Sequence, residues 1–156
     1  GVQLIQTLTN RIRSSERILD PAIGTAGDIL ALQLADDTLY PTIIGVSGSV
    51  LYVGEANTLR AMSSSNVTVS NFIIRNTSSA EDLASVLVEF DVTRTVPLTI
   101  PLEYTRKFEA LVPLFPDDQP SAPCSCASPS CSDGIYSWSY CIDTVCTDAT
   151  VDLPCL

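Results

Sequence analysis

All six cysteines of this chain lie within residues 124–156, and this clustering constrains the fold more than any other feature. They are spaced C-x-C-x4-C-x9-C-x4-C-x8-C, at Cys124, Cys126, Cys131, Cys141, Cys146 and Cys155. An even, clustered set of cysteines is typical of a disulfide framework formed in an oxidising compartment. A zinc site is the alternative, but the chain has no His and no CxxC pair, which structural zinc sites commonly use. The sequence therefore predicts three disulfides in a secreted or cell-surface protein.

The pairing of these cysteines cannot be read from their spacing. A bond between Cys124 and Cys126 would close a very tight ring, which disfavours the three pairings that contain it. Two glycosylation sequons agree with secretion: Asn66-Val67-Thr68 and Asn76-Thr77-Ser78. We expect N-linked sugar at Asn66 and Asn76 if the source is eukaryotic; the alternative is that neither sequon is used.

The body of the chain has the hydrophobic alternation of short strands. Strand-like runs recur at close intervals, at residues 28–35, 42–46, 49–54, 57–62, 66–76, 85–92, 95–104 and 106–112. Ser47-Gly48 between the second and third runs predicts a hairpin. Since the runs are too close together for crossover helices, we predict a mostly β fold. Its form is an antiparallel β-sandwich body followed by a small disulfide-rich C-terminal module.

Three local patterns give finer predictions. Residues 66–76 carry apolar side chains at both odd and even positions, which predicts a strand covered on both sides or one that contains a bulge. Pro97 and Pro101 have the same parity, so their missing N–H donors would lie along one edge of a strand over 95–104. That strand should lie at a sheet edge or change partner there. Residues 79–83 are compatible with one helical turn that begins at Ser79.

Composition divides the chain into four parts. Residues 1–19 form an N-terminal segment, 20–112 the β-sandwich body, 113–123 a Pro-rich connector and 124–156 the cysteine-rich module. The N-terminal segment fits a helix or a strand, and it has net charge +2, whereas residues 113–156 contain six Asp and no basic residue.

The composition excludes several classes of function. The absence of His removes Ser–His and Cys–His nucleophilic sites and His metal ligands, and no P-loop, GxSxG or GxGxxG motif is present. We therefore expect no enzyme, no catalytic residue, no cofactor and no metal site. Net charge −10 argues against nucleic acid as a partner, and no apolar run is long enough to span a membrane.

Calcium is the strongest chemical alternative, because carboxylate oxygens cluster in three acidic pairs at predicted loops. These pairs are Asp36-Asp37, Glu81-Asp82 and Asp117-Asp118. None belongs to an EF-hand loop, and acidic residues at surface turns are the simpler interpretation.

The leading functional hypothesis is an extracellular structural or interaction glycoprotein, a subunit of a fibre, coat or adhesive surface assembled by head-to-tail contacts. Its partner would be a second copy or another extracellular protein. Residues 1–19 would dock on the neighbour through Val2, Ile5, Leu8, Arg11, Ile12, Arg13 and Arg17. Packing of this segment within its own chain is the alternative.

A ligand-binding or carbohydrate-binding module, or a fragment of a receptor ectodomain, is the second hypothesis, with glycans as possible partners. Tyr136, Trp138 and Tyr140 alternate before Cys141 and would share one face of a strand. This face would be the binding surface; the alternative is that the three aromatic side chains form a small core beside the disulfides.

The cysteine pattern generates a direct chemical prediction. The oxidised, denatured chain should take up no thiol-alkylating reagent, and after reduction its mass should increase by six adducts, because all six cysteines are expected in disulfides. Intact mass spectrometry measures both values. Labelling of any cysteine before reduction would contradict three bridges.

Overall fold

The computed structural model describes residues 2–34, 39–80, 83–115, 126–142, 145–151 and 153–155. The helix and the first strands are α1 Val2–Arg13, β1 Arg17–Asp20, β2 Ala26–Gly27, β3 Ile29–Gln33, β4 Thr42–Ser47, β5 Val50–Glu55 and β6 Thr58–Ala61. Three longer strands follow, namely β7 Val67–Asn76, β8 Ser85–Val96 and β9 Leu102–Pro113. The remaining strands are short: β10 Ser130–Ser132, β11 Ile135–Ser137, β12 Ser139–Ile142, β13 Val145–Asp148 and β14 Leu153–Pro154.

Two antiparallel sheets face each other and enclose the main core, as the hydrophobic alternation predicts. One sheet has five strands in the order β1-β3-β4-β5-β6, and the other has four in the order β2-β7-β8-β9. Alternate residues of β3 to β5 and of β7 to β9 point into the space between them. This core contains Leu30, Leu32, Ile44, Leu51, Val53, Val69, Phe72, Ile74, Val86, Val88, Phe90, Val92, Val112 and Leu114.

The predicted hairpin between β4 and β5 is present, with its turn one residue later than expected. Ser47 pairs with Val50, so the two-residue loop is Gly48-Ser49. Both loop residues have positive φ, 56° and 66°, as a tight turn between twisted strands requires.

Strand β7 contains a bulge, which is one of the two alternatives that its sequence allows. The register against β8 shifts between Ser70 and Ile73, and Asn71 has a φ of 53°. Before the bulge the odd-numbered Val69 is buried, and after it the even-numbered Phe72 and Ile74 are buried. The extra residue therefore explains why apolar residues occur at both parities.

The prediction of a single strand over residues 95–104 is wrong. Strand β8 ends at Val96 and β9 begins at Leu102, the residue with which Val96 pairs, so Pro97 and Pro101 lie in the connection of a long hairpin. Proline interrupts strand pairing because it lacks the N–H donor, and here the chain reverses between the two prolines. Strand β9 is nevertheless an edge strand of its sheet.

The N-terminal segment is a helix that packs within its own chain. Leu8 and Ile12 are fully buried in the main core, and Leu4 and Ile5 pack against it. The helix ends at Arg13, and the segment then continues as β1. The predicted helical turn at 79–83 is instead an isolated bridge between Ala80 and Leu83; Glu81 and Asp82 lie outside the described residues.

The body extends a little beyond its predicted end at residue 112. Pro113 belongs to β9, and Leu114 is buried and donates its N–H to the Ala84 carbonyl. The Phe115 N–H donates to the Arg13 carbonyl at the end of α1. Residues 116–125, most of the predicted connector, lie outside the described part of the chain.

The main core predicts a large difference between two phenylalanines. Phe90 is buried and lies against Phe72 and Phe108, whereas Phe115 is mostly exposed. Phe90→Ala should lower the free energy of unfolding by roughly 3–5 kcal/mol, because it leaves a cavity between the sheets. Phe115→Ala, the control, should change it by less than about 0.5 kcal/mol. Urea denaturation measures both; similar losses in the two variants would contradict this core.

Candidate interaction surface

Two of the three aromatic residues of the C-terminal module are buried against the body, which agrees with the small-core alternative and not with an exposed binding face. Tyr136 and Trp138 are almost fully buried, and only Tyr140 is partly exposed. They do not lie on one strand either: Tyr136 belongs to β11, Tyr140 to β12, and Trp138 lies between these strands. These side chains therefore cannot form one common face for a ligand.

The C-terminal module packs on the face of the five-stranded sheet that points away from the main core. Ile29, Ala31 and Ile43 of the sheet form a second core with four residues of the module, namely Tyr136, Trp138, Leu153 and Cys155. Two glycines of the sheet leave space for two of them. A Cβ on Gly45 would come within 3.0 Å of Leu153 Cδ2, and one on Gly54 within 3.5 Å of Trp138 Cζ2.

Hydrogen bonds hold the polar ends of the same aromatic residues. Trp138 Nε1 donates to the Ala56 carbonyl at 2.6 Å, and the Tyr136 hydroxyl donates to Asp20 Oδ2 at 2.9 Å. Burial raises the pKa of the Asp20 carboxyl above its ordinary value; the bond from Tyr136 opposes this rise, and the Asp28 carboxylate adds to it. Burial, together with the Asp20 carboxylate, also raises the pKa of Tyr136, so the phenol stays protonated as the donor.

Disulfides hold the module together internally. Cys126 is bonded to Cys146, and Cys131 to Cys155. Cys141 is also disulfide-bonded, and Cys124 lies outside the described residues. The described residues include no free cysteine, which agrees with the predicted framework. The second of these bonds ties β10 to the buried residue that follows β14.

The two sequons occupy different environments. Asn66 is exposed in the turn before β7, where its amide is accessible, and its glycosylation stays a prediction. Asn76 is buried: its Nδ2 donates to the Pro21 carbonyl at 2.8 Å, and its Oδ1 accepts from the Ser78 N–H. Because Nδ2 is the atom that would carry the sugar, this geometry counts against a glycan at Asn76.

Five of the seven residues predicted to dock residues 1–19 on a neighbour make contacts within their own chain. Arg11 forms a 2.8 Å ion pair with Glu55, and the Arg17 guanidinium donates to Gln33 Oε1 at 2.8 Å. Arg13 is exposed, and Val2 is the first residue of α1. With Leu8 and Ile12 fully buried, the apolar stripe of the helix is already covered.

A different apolar surface is exposed, on the outer part of the β8–β9 hairpin. We call residues 94–106 the arm. Strands β8 and β9 each have 12 residues, about 40 Å at full extension, whereas the longest strands of the facing sheet have six, about 20 Å. The longer hairpin therefore extends past the sheet that covers it, and the core stops near Val92.

The apolar alternation of the core continues along the arm, but there the apolar side chains are exposed. Its inner face, which follows on from Val92 and Phe108, carries Arg94, Val96, Leu102, Tyr104 and Arg106. The connection adds Leu98 and Ile100, and the exposure reaches 77% at Ile100 and 59% at Tyr104. The regular alternation of most of these residues predicts one continuous strand over 95–104. The length mismatch between the two sheets, which leaves them outside, is a tertiary property.

The described part of the chain contains no group of three or more Cys, Asp or Glu placed to hold a metal ion. Each acidic pair considered for calcium lies entirely outside it, since residues 36–37, 81–82 and 117–118 are not among the described residues. No helix in the described ranges is long and apolar enough to cross a membrane.

Comparison with known proteins gives no functional assignment. No protein-family model, no curated protein and no solved structure matches this chain significantly.

The Tyr136–Asp20 bond predicts a pH-dependent contribution to stability. Since the pKa of Asp20 is raised in the folded state, lowering the pH through that pKa favours folding as far as this group is concerned. At neutral pH, Tyr136→Phe should cost roughly 1.5–3 kcal/mol, because a half-buried carboxylate loses its donor. At about pH 3, where Asp20 is protonated, it should cost roughly 0.5–1.5 kcal/mol. Denaturant titrations at both pH values measure this.

Tyr140→Phe is the matched control, since Tyr140 is partly exposed, and it should change stability by less than about 0.5 kcal/mol at either pH. A Tyr136→Phe penalty that stays constant or grows at low pH would show that the bond to ionised Asp20 is not its source.

Proposed function

We propose that this protein is a structural or interaction subunit of an extracellular assembly, and that it contacts its neighbours through the arm. The single observation that carries the proposal is the exposed apolar surface of residues 94–106. Two disulfides and the lack of a membrane-spanning helix among the described residues are compatible with an extracellular location.

Exposure of this kind is costly for a protein that works alone. Leu98, Ile100, Leu102 and Tyr104 are large apolar residues within seven positions, all exposed and on one projecting hairpin. Isolated apolar residues are common on protein surfaces, but a contiguous set is typical of a surface that binds another protein. Covering these side chains would remove apolar area from water and would supply much of the affinity.

The arm takes the role that sequence analysis gave to residues 1–19. The apolar stripe of α1 is occupied within its own chain, so it offers little surface to a neighbour. The alternative function, a ligand-binding module, depended on Tyr136, Trp138 and Tyr140. Burial of the first two removes its best surface, and we do not propose it further.

The proposal predicts that the arm is needed for self-assembly. The mass of the purified, oxidised chain should rise above the 16.7 kDa of one copy as its concentration increases. A Leu98→Ser/Ile100→Ser variant should remain a monomer at concentrations where the unmodified chain assembles, because the apolar contact is lost. Light scattering coupled to gel filtration measures both masses.

A matched control is available on the C-terminal module, where Ile142 and Val145 are also exposed. Ile142→Ser/Val145→Ser also replaces two exposed aliphatic residues with serine and should assemble like the unmodified chain. A chain that stays monomeric at every concentration, or that assembles equally well without the apolar tip, would refute the proposal.

A further inference from the structure

Strand β9 exposes one edge of its sheet. Whether a residue of β9 has an odd or an even number decides if its backbone N–H and C=O groups point to β8 or to this open edge. The Leu114 N–H donates to Ala84 O, so even-numbered residues of β9 direct their backbone N–H and C=O groups toward β8. The Thr77 N–H donates to Ser85 O, which shows that odd-numbered residues of β8 face β7 and agrees with this assignment. The odd-numbered residues of β9, from Glu103 to Leu111, therefore direct theirs away from the sheet.

The two ends of this edge are closed. Pro101 and Pro113 are both odd-numbered, so each would place a missing donor on the open edge. At the C-terminal end the Phe115 N–H is already bonded to the Arg13 carbonyl of α1, which occupies the space beside the strand. A partner strand is therefore restricted to residues 103–111, and it can extend beyond them only at the end where the arm projects.

We infer that the partner of this edge is a second copy of the same chain, paired antiparallel through β9 about a two-fold axis at Thr105. The inference rests on the proposed function and specifies its contact. The two four-stranded sheets would join into one continuous sheet, with both inner faces on the same side. Edge strands that expose their backbone groups pair readily in this way.

Charge complementarity selects this register. With Thr105 opposite Thr105 of the second copy, Glu103 lies opposite Lys107, and the two-fold axis makes this pair twice. Within its own chain Lys107 has only a 3.9 Å contact with Glu89, and Glu103 has no ion pair to any other residue that the structure describes. Both side chains lie on the outer face of the sheet and are exposed.

The inner face is complementary in the same register. Tyr104 lies opposite Arg106 of the second copy, so that a guanidinium meets an aromatic ring, and Leu102 lies opposite Phe108. Each arm would then run beside the β9 of the second copy, and its tip at Leu98 and Ile100 would lie next to residues 109–112. The surface that the facing sheet leaves uncovered would thus be covered by the other arm.

Neighbouring registers are less favourable. A shift that centres the axis on Arg106 places Arg106 opposite itself and Glu103 opposite Glu109, and one that centres it on Lys107 places Lys107 opposite itself. If the axis lies at Phe108, the β8–β9 connection of the second copy lies beyond Pro113, toward the end of α1 at Arg13. Like charges disfavour the first two registers, and the end of α1 obstructs the third.

A charge-reversal series tests the pairing. Glu103→Lys should weaken self-association by about tenfold or more, since two attractive cross-strand pairs become repulsive. Lys107→Glu should weaken it similarly, and the double variant should restore it to within about threefold, because the pair is re-formed with opposite polarity. Sedimentation equilibrium measures the dissociation constants, and thermal unfolding checks that each variant folds.

Glu109→Lys is the matched control, with the same change of charge on the same edge and face. In the inferred register residue 109 lies opposite Pro101, so this variant should change the dissociation constant by less than about twofold. A Glu109→Lys effect as large as that of Glu103→Lys, or a double variant that is not restored, would overturn the register.

A cysteine placed on the two-fold axis tests the register independently of the charge-reversal variants. Paired Cα atoms at a hydrogen-bonded antiparallel position lie about 5.5 Å apart, within the range that a disulfide spans. Thr105→Cys should therefore form a covalent dimer under mild oxidation, whereas Lys107→Cys, about two residue pairs from the axis, should not. Non-reducing electrophoresis distinguishes them.

The outcomes separate this inference from the proposed function. If the Leu98→Ser/Ile100→Ser variant loses assembly but Thr105→Cys does not cross-link and charge reversal has no effect, the arm acts in assembly and the inferred pairing is wrong. If the unmodified chain is monomeric at every concentration, the proposed function and the inferred pairing are both wrong. Cross-linking at Thr105 together with rescue by the double charge reversal supports both.

Discussion

Burial of the five-stranded sheet on both faces is the constraint on which the rest of the structure depends. All five residues of β3 are buried, so this short central strand needs an apolar cover on each side. The four-stranded sheet and α1 cover one side, and the cysteine-rich module covers the other. The module is too small to form a core alone, and it completes one with Ile29, Ala31 and Ile43 of the sheet. Its disulfides hold its shape, while this shared core holds its position on the body.

The same arrangement produces the arm. A sheet whose longest strands have six residues cannot cover a hairpin whose strands have 12, so the apolar alternation of β8 and β9 continues beyond the core. A chain with net charge −10 could have placed acidic residues there and remained soluble as a monomer. It has Leu102, Tyr104 and two arginines instead, and both the apolar surface and the local positive charge fit contact with another acidic protein.

Much of the fold could be predicted from local pattern, and the candidate surface could not. Alternation located β3 to β5, and the mixed parity of residues 66–76 gave a bulge as one of two alternatives, because both signals depend on nearby residues. The packing of the module on the sheet depends on Gly45 and Gly54. These glycines are far in sequence from Leu153 and Trp138, so no local pattern reveals this contact. Alternation over residues 96–104 was misleading for a related reason: a regular pattern can continue through a hairpin connection, and strand pairing alone shows where the chain reverses.

The basic residues of β9 illustrate how an exposed edge can be selective without being blocked. A lysine near the middle of an edge strand usually protects against pairing, because any neighbour would have to bury its charge or oppose a like charge. Here Lys107 and Arg106 disfavour registers in which they meet themselves, but Glu103 and Tyr104 lie at the spacing that accommodates them about Thr105. With prolines and α1 closing the ends of the edge, the charges favour the alignment about Thr105 over those about Arg106 and Lys107. They would therefore act to choose a partner and a register, while burial of the arm would supply the affinity.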